Sequence, residues 1–160
     1  MHNLLSLGVF LLLVLIAVVI GGQFTGGDWY PTMQQPAWNP PALLMAPVWA
    51  VVYVLMAVSG WMVWETRRSL ATAALGWWGL QLLLIVCWSW MYFGLHRPGW
   101  ALGVMSLWLL VSVIVFRTFR TIRTEAANLT VPVMAWLAFS WVLHLVQWNL
   151  NGGGLGSLFN

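Results

Sequence analysis

Long uncharged runs separated by short polar breaks organise this chain. Five mostly apolar stretches recur, at about 4–22, 44–64, 75–95, 98–117 and 131–149, each free of charge except at its ends. A helix needs roughly 20 such residues to cross the hydrocarbon core of a bilayer. Backbone polar groups in lipid must be satisfied within the segment, so each run predicts a transmembrane α-helix. The first run starts at Leu4 and continues to Ile20 without a basic leader, which reads as a retained span rather than a cleaved signal peptide. The expected fold is an all-α integral membrane protein. It is a five-helix bundle in one domain over 1–151, with a flexible tail at 152–160.

Most connections are short. The exception, about 23–43, carries Gly26-Gly27 and four prolines (Pro31, Pro36, Pro40, Pro41), which exclude a continuous helix. It also carries Trp29, Tyr30 and Trp38, an aromatic load that a solvated linker does not need. Two readings account for it: an ordered lid packed on the bundle and capping a ligand cavity, or an aromatic belt at the membrane interface.

Charge changes the picture in one respect. The chain has six arginines, three carboxylates and no lysine, for a net charge of +3. With five spans, Arg67, Arg68, Arg117, Arg120 and Arg123 share one side, and Arg97 stands alone on the other. Arginine excess marks the cytoplasmic side, so the N-terminus is expected in the cytoplasm and the C-terminus outside. These arginines form no stripe interleaved with stacking aromatics, so nucleic acid is not an expected partner. Cys87, the single cysteine, allows no intrachain disulfide, and no metal-ligand spacing is present. Gly99-x-x-x-Gly103 offers a close-packing face within the bundle or between protomers. No internal repeat is visible.

The candidate chemistry lies in the tryptophans, fourteen in 160 residues. Trp49, Tyr53 and Met56 share one helix face, as do Trp136, Ser140, Leu143, His144 and Gln147 in the fifth span; Trp88 follows Gln81 by one heptad in the third. Stripes that mix flat aromatics with sparse polar groups point away from lipid. They describe either a filled bundle core or a pocket for a large, flat, apolar ligand. His144 lies mid-span, where ionisable groups are rare. It is a candidate hydrogen-bonding group for a ligand, an axial ligand to haem iron, or interhelical glue toward Gln81, Ser89 or Ser112. Ordinary enzymology has no support. The carboxylates lie near span ends, no Ser-His-Asp arrangement is visible, Asp28 reads as a turn or cap residue, and Gly26-Gly27 lacks the features of a phosphate loop.

Four motifs, in order, carry a resemblance. They are Asp28-Trp29-Tyr30 with Gln35-Pro36-Ala37-Trp38-Asn39-Pro40-Pro41; Pro47-Val48-Trp49 with Tyr53; Gln81-Leu82 with Trp88 and Phe93-Gly94; and Pro132 with Ala135-Trp136-Leu137-Ala138-Phe139 and Trp148. Over roughly residues 20–151 the chain resembles the TspO/MBR family of tryptophan-rich sensory and translocator proteins. The resemblance implies a five-helix, often homodimeric membrane protein with a cavity beneath the first loop. It implies protoporphyrin IX or a related tetrapyrrole, haem included, as ligand, with no obligatory cofactor and no metal site. A bacterial inner membrane is the expected location.

The ligand-binding positions it implies, together with the stripes, are Trp29, Tyr30, Trp38, Ala46, Trp49, Tyr53, Trp88, Trp100, Trp136, Ser140, Leu143 and His144. A carrier, sensor or scavenger of tetrapyrroles is the leading expectation. The alternatives are light-dependent porphyrin breakdown, with Trp49 and Trp136 as reactants, and a structural or regulatory membrane subunit. This chain departs from the family pattern at Ile85 and His144, where the family has Asn, and at Leu145 and Val146, where it has aromatics. The last span has no Tyr, Lys or Arg after Pro132, so a cholesterol-type motif cannot be built there.

Overall fold

A computed structural model describes residues 4–24, 26–66 and 69–154. Its elements are α1 (Leu4–Gly22), α2 (Trp29–Thr32), α3 (Ala42–Trp64), α4 (Ser69–Ser89) continued by a π-helical turn (Trp90–Gly94), α5 (Pro98–Ile122) and α6 (Thr124–Leu150). Five helices are long and apolar enough to cross a membrane: α1, α3, α4 with its π turn, α5 and α6. The described residues contain no strand.

The helices outrun the apolar windows that predict them. Residues 69–74 join α4 because Ala71, Ala73 and Ala74 are strong helix formers. The connection expected over 118–130 reduces to a break at Arg123 (φ −154°, ψ 110°). Beyond it, Glu125 sits in the first turn of α6, where a carboxylate suits the helix dipole. Pro47 and Pro132 lie inside α3 and α6 without ending them. Of the expected tail, residues 155–160 lie outside the described residues.

Neighbour relations close the spans into a ring. α1 packs on α3 and α4, α4 on α5, α5 on α6, and α6 back on α3. The two ends of the ring are filled differently. Toward the end that carries Arg117, Arg120 and Arg123, small residues let the helices close on one another. Ala57, Val63, Val115, Ala126 and Ala127 are fully buried there. Gly60 lies against Trp78; a Cβ at Gly60 would sit 2.7 Å from Trp78 Cε2. That indole donates across the helix boundary to the Met56 carbonyl (2.8 Å). In the middle, Gln81 Oε1 accepts from Ser112 Oγ (2.8 Å) and Trp108 Nε1 (3.3 Å), so three buried polar groups satisfy one another.

The other end is capped by the first connection. Trp29 and Tyr30, on α2, set their rings edge-on against Tyr92 (5.6 and 6.2 Å between centroids), and Tyr30 also meets Phe93 (5.7 Å). Met33 and Pro36 are buried. Two side-chain amides, one in the last turn of α6 and one at its C-cap, pin the same segment. Asn151 accepts from the Gln34 N–H (2.8 Å) and donates back to the Gln34 carbonyl (3.0 Å), while Gln147 Nε2 donates to Gln35 Oε1. The segment is therefore an ordered lid, and only Trp38, half-exposed against Phe139, has the placement of a belt residue. Cys87 is exposed on the flank of α4.

Candidate functional site

Beneath the lid lies a cavity of about 580 Å³. Its roof is the lid, its walls are the adjoining halves of α1, α3, α4 and α6, and its floor is the packed core. The volume falls within the range of about 300–1,000 Å³ typical of small-molecule pockets. Bulky aromatics hold it open. Trp49 stacks on Tyr53 (5.5 Å), Trp88 (6.3 Å) and Trp108 (6.1 Å), and Trp88 continues onto Tyr92 (5.7 Å, 12° between planes). Rings braced on other rings cannot collapse into the void, which keeps a flat-walled, apolar chamber.

Polar groups in this region are few, and several lack partners. Ser140 Oγ and His144 Nε2, both on residues lining the cavity, are buried with no hydrogen-bond partner among the described residues, as is the Trp88 indole N–H. The His144 ring lies 4.1 Å from the Tyr92 ring and 5.5 Å from Trp88, so aromatic contacts fix its plane while its Nε2 stays uncommitted. Gln81 and Ser112, two of the partners considered for His144, are engaged with each other instead. Tyr92 donates to Gln147 Oε1 (3.2 Å), and Gln147 in turn reaches Gln35 of the lid. Buried polar groups are nearly always paired, so unpaired ones beside a cavity mark places where a bound molecule supplies the partner. Among the described residues no Arg or Lys lines the chamber, and no three His, Cys, Asp or Glu side chains cluster as metal ligands.

Of the twelve positions expected from sequence, eight line this cavity: Tyr30, Ala46, Trp49, Tyr53, Trp88, Ser140, Leu143 and His144. Four do not. Trp136 stands behind Trp49, edge-on at 6.0 Å, because Trp49 fills the space between it and the chamber. Its buried indole N–H is also unpartnered. Trp38 faces outward. Trp29 turns away to stack on His96, and Trp100, half-exposed, shares with it a separate concavity on the lid face. Tyr92, Gln35, Asn39, Phe24 and Gln147 line the cavity without having been among the twelve. Tyr92 follows Trp88 by one turn and was reachable by extending that stripe; Gln147 was on the stripe of α6. Phe24 and Asn39 carry no periodic signal, because only tertiary folding brings the first connection over the bundle. Gly103, the second glycine of the GxxxG pair, meets nothing that a Cβ would disturb, so it serves no close approach inside the chain.

Fold and site together define a five-span membrane protein with a lidded, aromatic-walled cavity. Residues 9–149 match the TspO/MBR family model, and the chain belongs to that family. It is similar to the translocator protein of Bos taurus, 32% identical over 148 residues that cover 89% of this chain and 88% of the relative. It is likewise 32% identical to protein CrtK of Rhodobacter capsulatus, over 83% of this chain and 84% of that one. The tryptophan-rich protein TspO of Chlorobaculum tepidum is 28% identical over 93% of this chain and 98% of its own.

Proposed function

We propose that this protein binds a tetrapyrrole of the protoporphyrin IX type under its lid and acts as a membrane carrier, sensor or scavenger. The observation that carries the reading is the chamber itself: ring-braced flat walls, packed core side chains beneath it, and uncommitted Trp88, Ser140 and His144 polar atoms. A planar macrocycle suits such walls, since stacked or edge-on aromatic contacts add about 0.5–1.5 kcal/mol each beyond buried area. The absence of Arg and Lys from the lining constrains the pose. A carboxylate buried without a partner is strongly disfavoured, so acidic side chains of the ligand belong at the mouth, near Gln35 and Asn39. Haem fits the same walls, with His144 Nε2 as the nitrogen that would meet its iron. The packed core beneath the floor favours a pocket over a through-conduit. Bacterial inner-membrane location, a cytoplasmic N-terminus and a homodimer complete the proposal.

Titrating tryptophan fluorescence with protoporphyrin IX tests it. Saturable quenching that weakens in His144→Leu and Ser140→Val is expected; linear, unsaturable quenching refutes it. One observation favours a second reading, light-driven breakdown of the bound ligand. Trp49 both faces the cavity and contacts four other aromatic rings, so its indole is placed to give an electron to an excited macrocycle. Illumination in the presence of dioxygen, the co-reactant that supplies the oxygen atoms and oxidising equivalents for ring opening, should then yield a new, bilin-like absorption that is lost in Trp49→Phe and in the absence of oxygen. Bleaching without such a product leaves binding as the activity.

A further inference from the structure

A second concavity, of about 420 Å³, opens on the lid face between the start of α5 and the end of α6. Trp29 and Met33 line it and touch Tyr92, which lines the main cavity, so the two spaces share one wall. Its character is the opposite of the main cavity's. It is predominantly polar, and Arg97, absent from the chamber, lines it beside His96.

The chain spends backbone strain to build this corner. His96 adopts φ 55°, the left-handed region that a residue with a Cβ rarely occupies. Two backbone bonds hold it there, Leu95 N–H to the Trp90 carbonyl (2.8 Å) and Arg97 N–H to the Met91 carbonyl (2.9 Å), both products of the widened π turn. The result lays the imidazole flat on Trp29 (4.5 Å, 19°) and turns the chain directly into α5. Arg97, exposed, makes no ion pair and no side-chain hydrogen bond among the described residues. It is the single Lys or Arg that the described residues place at this end.

Depth selects the kind of anion. α6 is 27 residues long, so it extends about 40 Å against a hydrocarbon core of about 30 Å. With Glu125 in its first turn kept out of the hydrocarbon at the opposite end, its last turn comes to the headgroup layer on the lid face, and this pocket lies at that turn, beside Trp148 and Asn151. Trp100 and Trp148 flank Arg97 as interfacial indoles do. A guanidinium presents a planar fork that matches a phosphate oxygen pair. We infer that this pocket seats the phosphate of a phospholipid from the leaflet on the lid face, with Arg97 as its principal ligand and the indoles against the glycerol and upper acyl chain.

The test uses the full chain without any tetrapyrrole, so it stands or falls separately from the reading of the main cavity. Delipidated protein in detergent is titrated with short-chain phosphatidylglycerol, and binding is followed by native mass spectrometry and by the thermal midpoint. One tightly held phospholipid is expected. Arg97→Gln should weaken it about 10- to 100-fold, the loss expected when a charge-assisted hydrogen-bond pair is removed. Equal affinity of Arg97→Gln and the parent overturns the proposal. So does equal binding of diacylglycerol with the same chains, a comparison that needs no variant to fold. Inorganic phosphate is the third arm: if it produces the same thermal shift by itself, the ligand is a soluble phosphate and the lipid assignment fails.

Discussion

Single residues in this protein divide into those that close space and those that keep it open. Gly60 closes it. Trp78 occupies the place of its missing Cβ and donates to the Met56 carbonyl, so Gly60→Val must displace a buried indole and lengthen or break that bond. Overpacking of this kind costs about 1–3 kcal/mol, and a lowered thermal midpoint in detergent checks it. His144 shows the reverse. A buried imidazole nitrogen without a partner is a standing cost of about 1–3 kcal/mol. His144→Leu should therefore raise the thermal stability of the ligand-free protein while lowering its porphyrin affinity; a variant that loses both stability and binding would assign His144 to packing instead. Residue identity was legible in sequence wherever a stripe ran through it, as at Trp49, Trp88 and His144. It was not legible where depth mattered. Trp136 shares the helical face of Ser140 and His144, yet Trp49 shields it, and the pattern on one helix cannot report what a neighbouring helix places in front of it.

At the scale of elements, the lid and the end of α6 behave as one unit. Gln34 and Gln35 are held by Asn151 and Gln147, which are four residues apart and so lie on one helix face, and Gln147 also binds Tyr92 in the cavity wall. On the proposed reading, entry of a tetrapyrrole through the lid requires these bonds to open together. Asn151→Ala removes both bonds to Gln34 and should speed amide exchange across the lid residues. It should also raise the porphyrin dissociation rate several-fold with little change in global stability, which exchange mass spectrometry and stopped-flow displacement would measure. If exchange in the lid is unchanged, Asn151 does not hold it. The spans themselves were legible because lipid forces each one to be a long apolar helix. Their ends were not, since alanine-containing segments flanking the apolar windows, such as 69–74 and 124–130, fold as helix on propensity that hydropathy does not register. The lid was legible as an aromatic exception among short connections, but its grip on α6 depends on contacts 112 and 117 residues apart in sequence.

The whole molecule is polarised along its axis. One end is tightly packed and carries Arg117, Arg120 and Arg123; the other is lidded, hollow and carries Arg97 alone among the described arginines. That asymmetry bears on direction as well as architecture. On the proposed reading a ligand enters and leaves from the lid side, so the orientation of the chain decides which compartment it samples. The proposed orientation, with the arginine-rich packed end in the cytoplasm, sends the lid face to the opposite compartment. Single-cysteine variants in a Cys87→Ser background test this without disturbing either pocket. Thr66→Cys, at the packed end, should resist a membrane-impermeant maleimide in spheroplasts and react after permeabilisation. Gly154→Cys, beyond α6, should react in both. Reversal of that pattern would turn the mouth toward the cytoplasm, and the proposed ligand would then be taken from that compartment rather than from the one outside it.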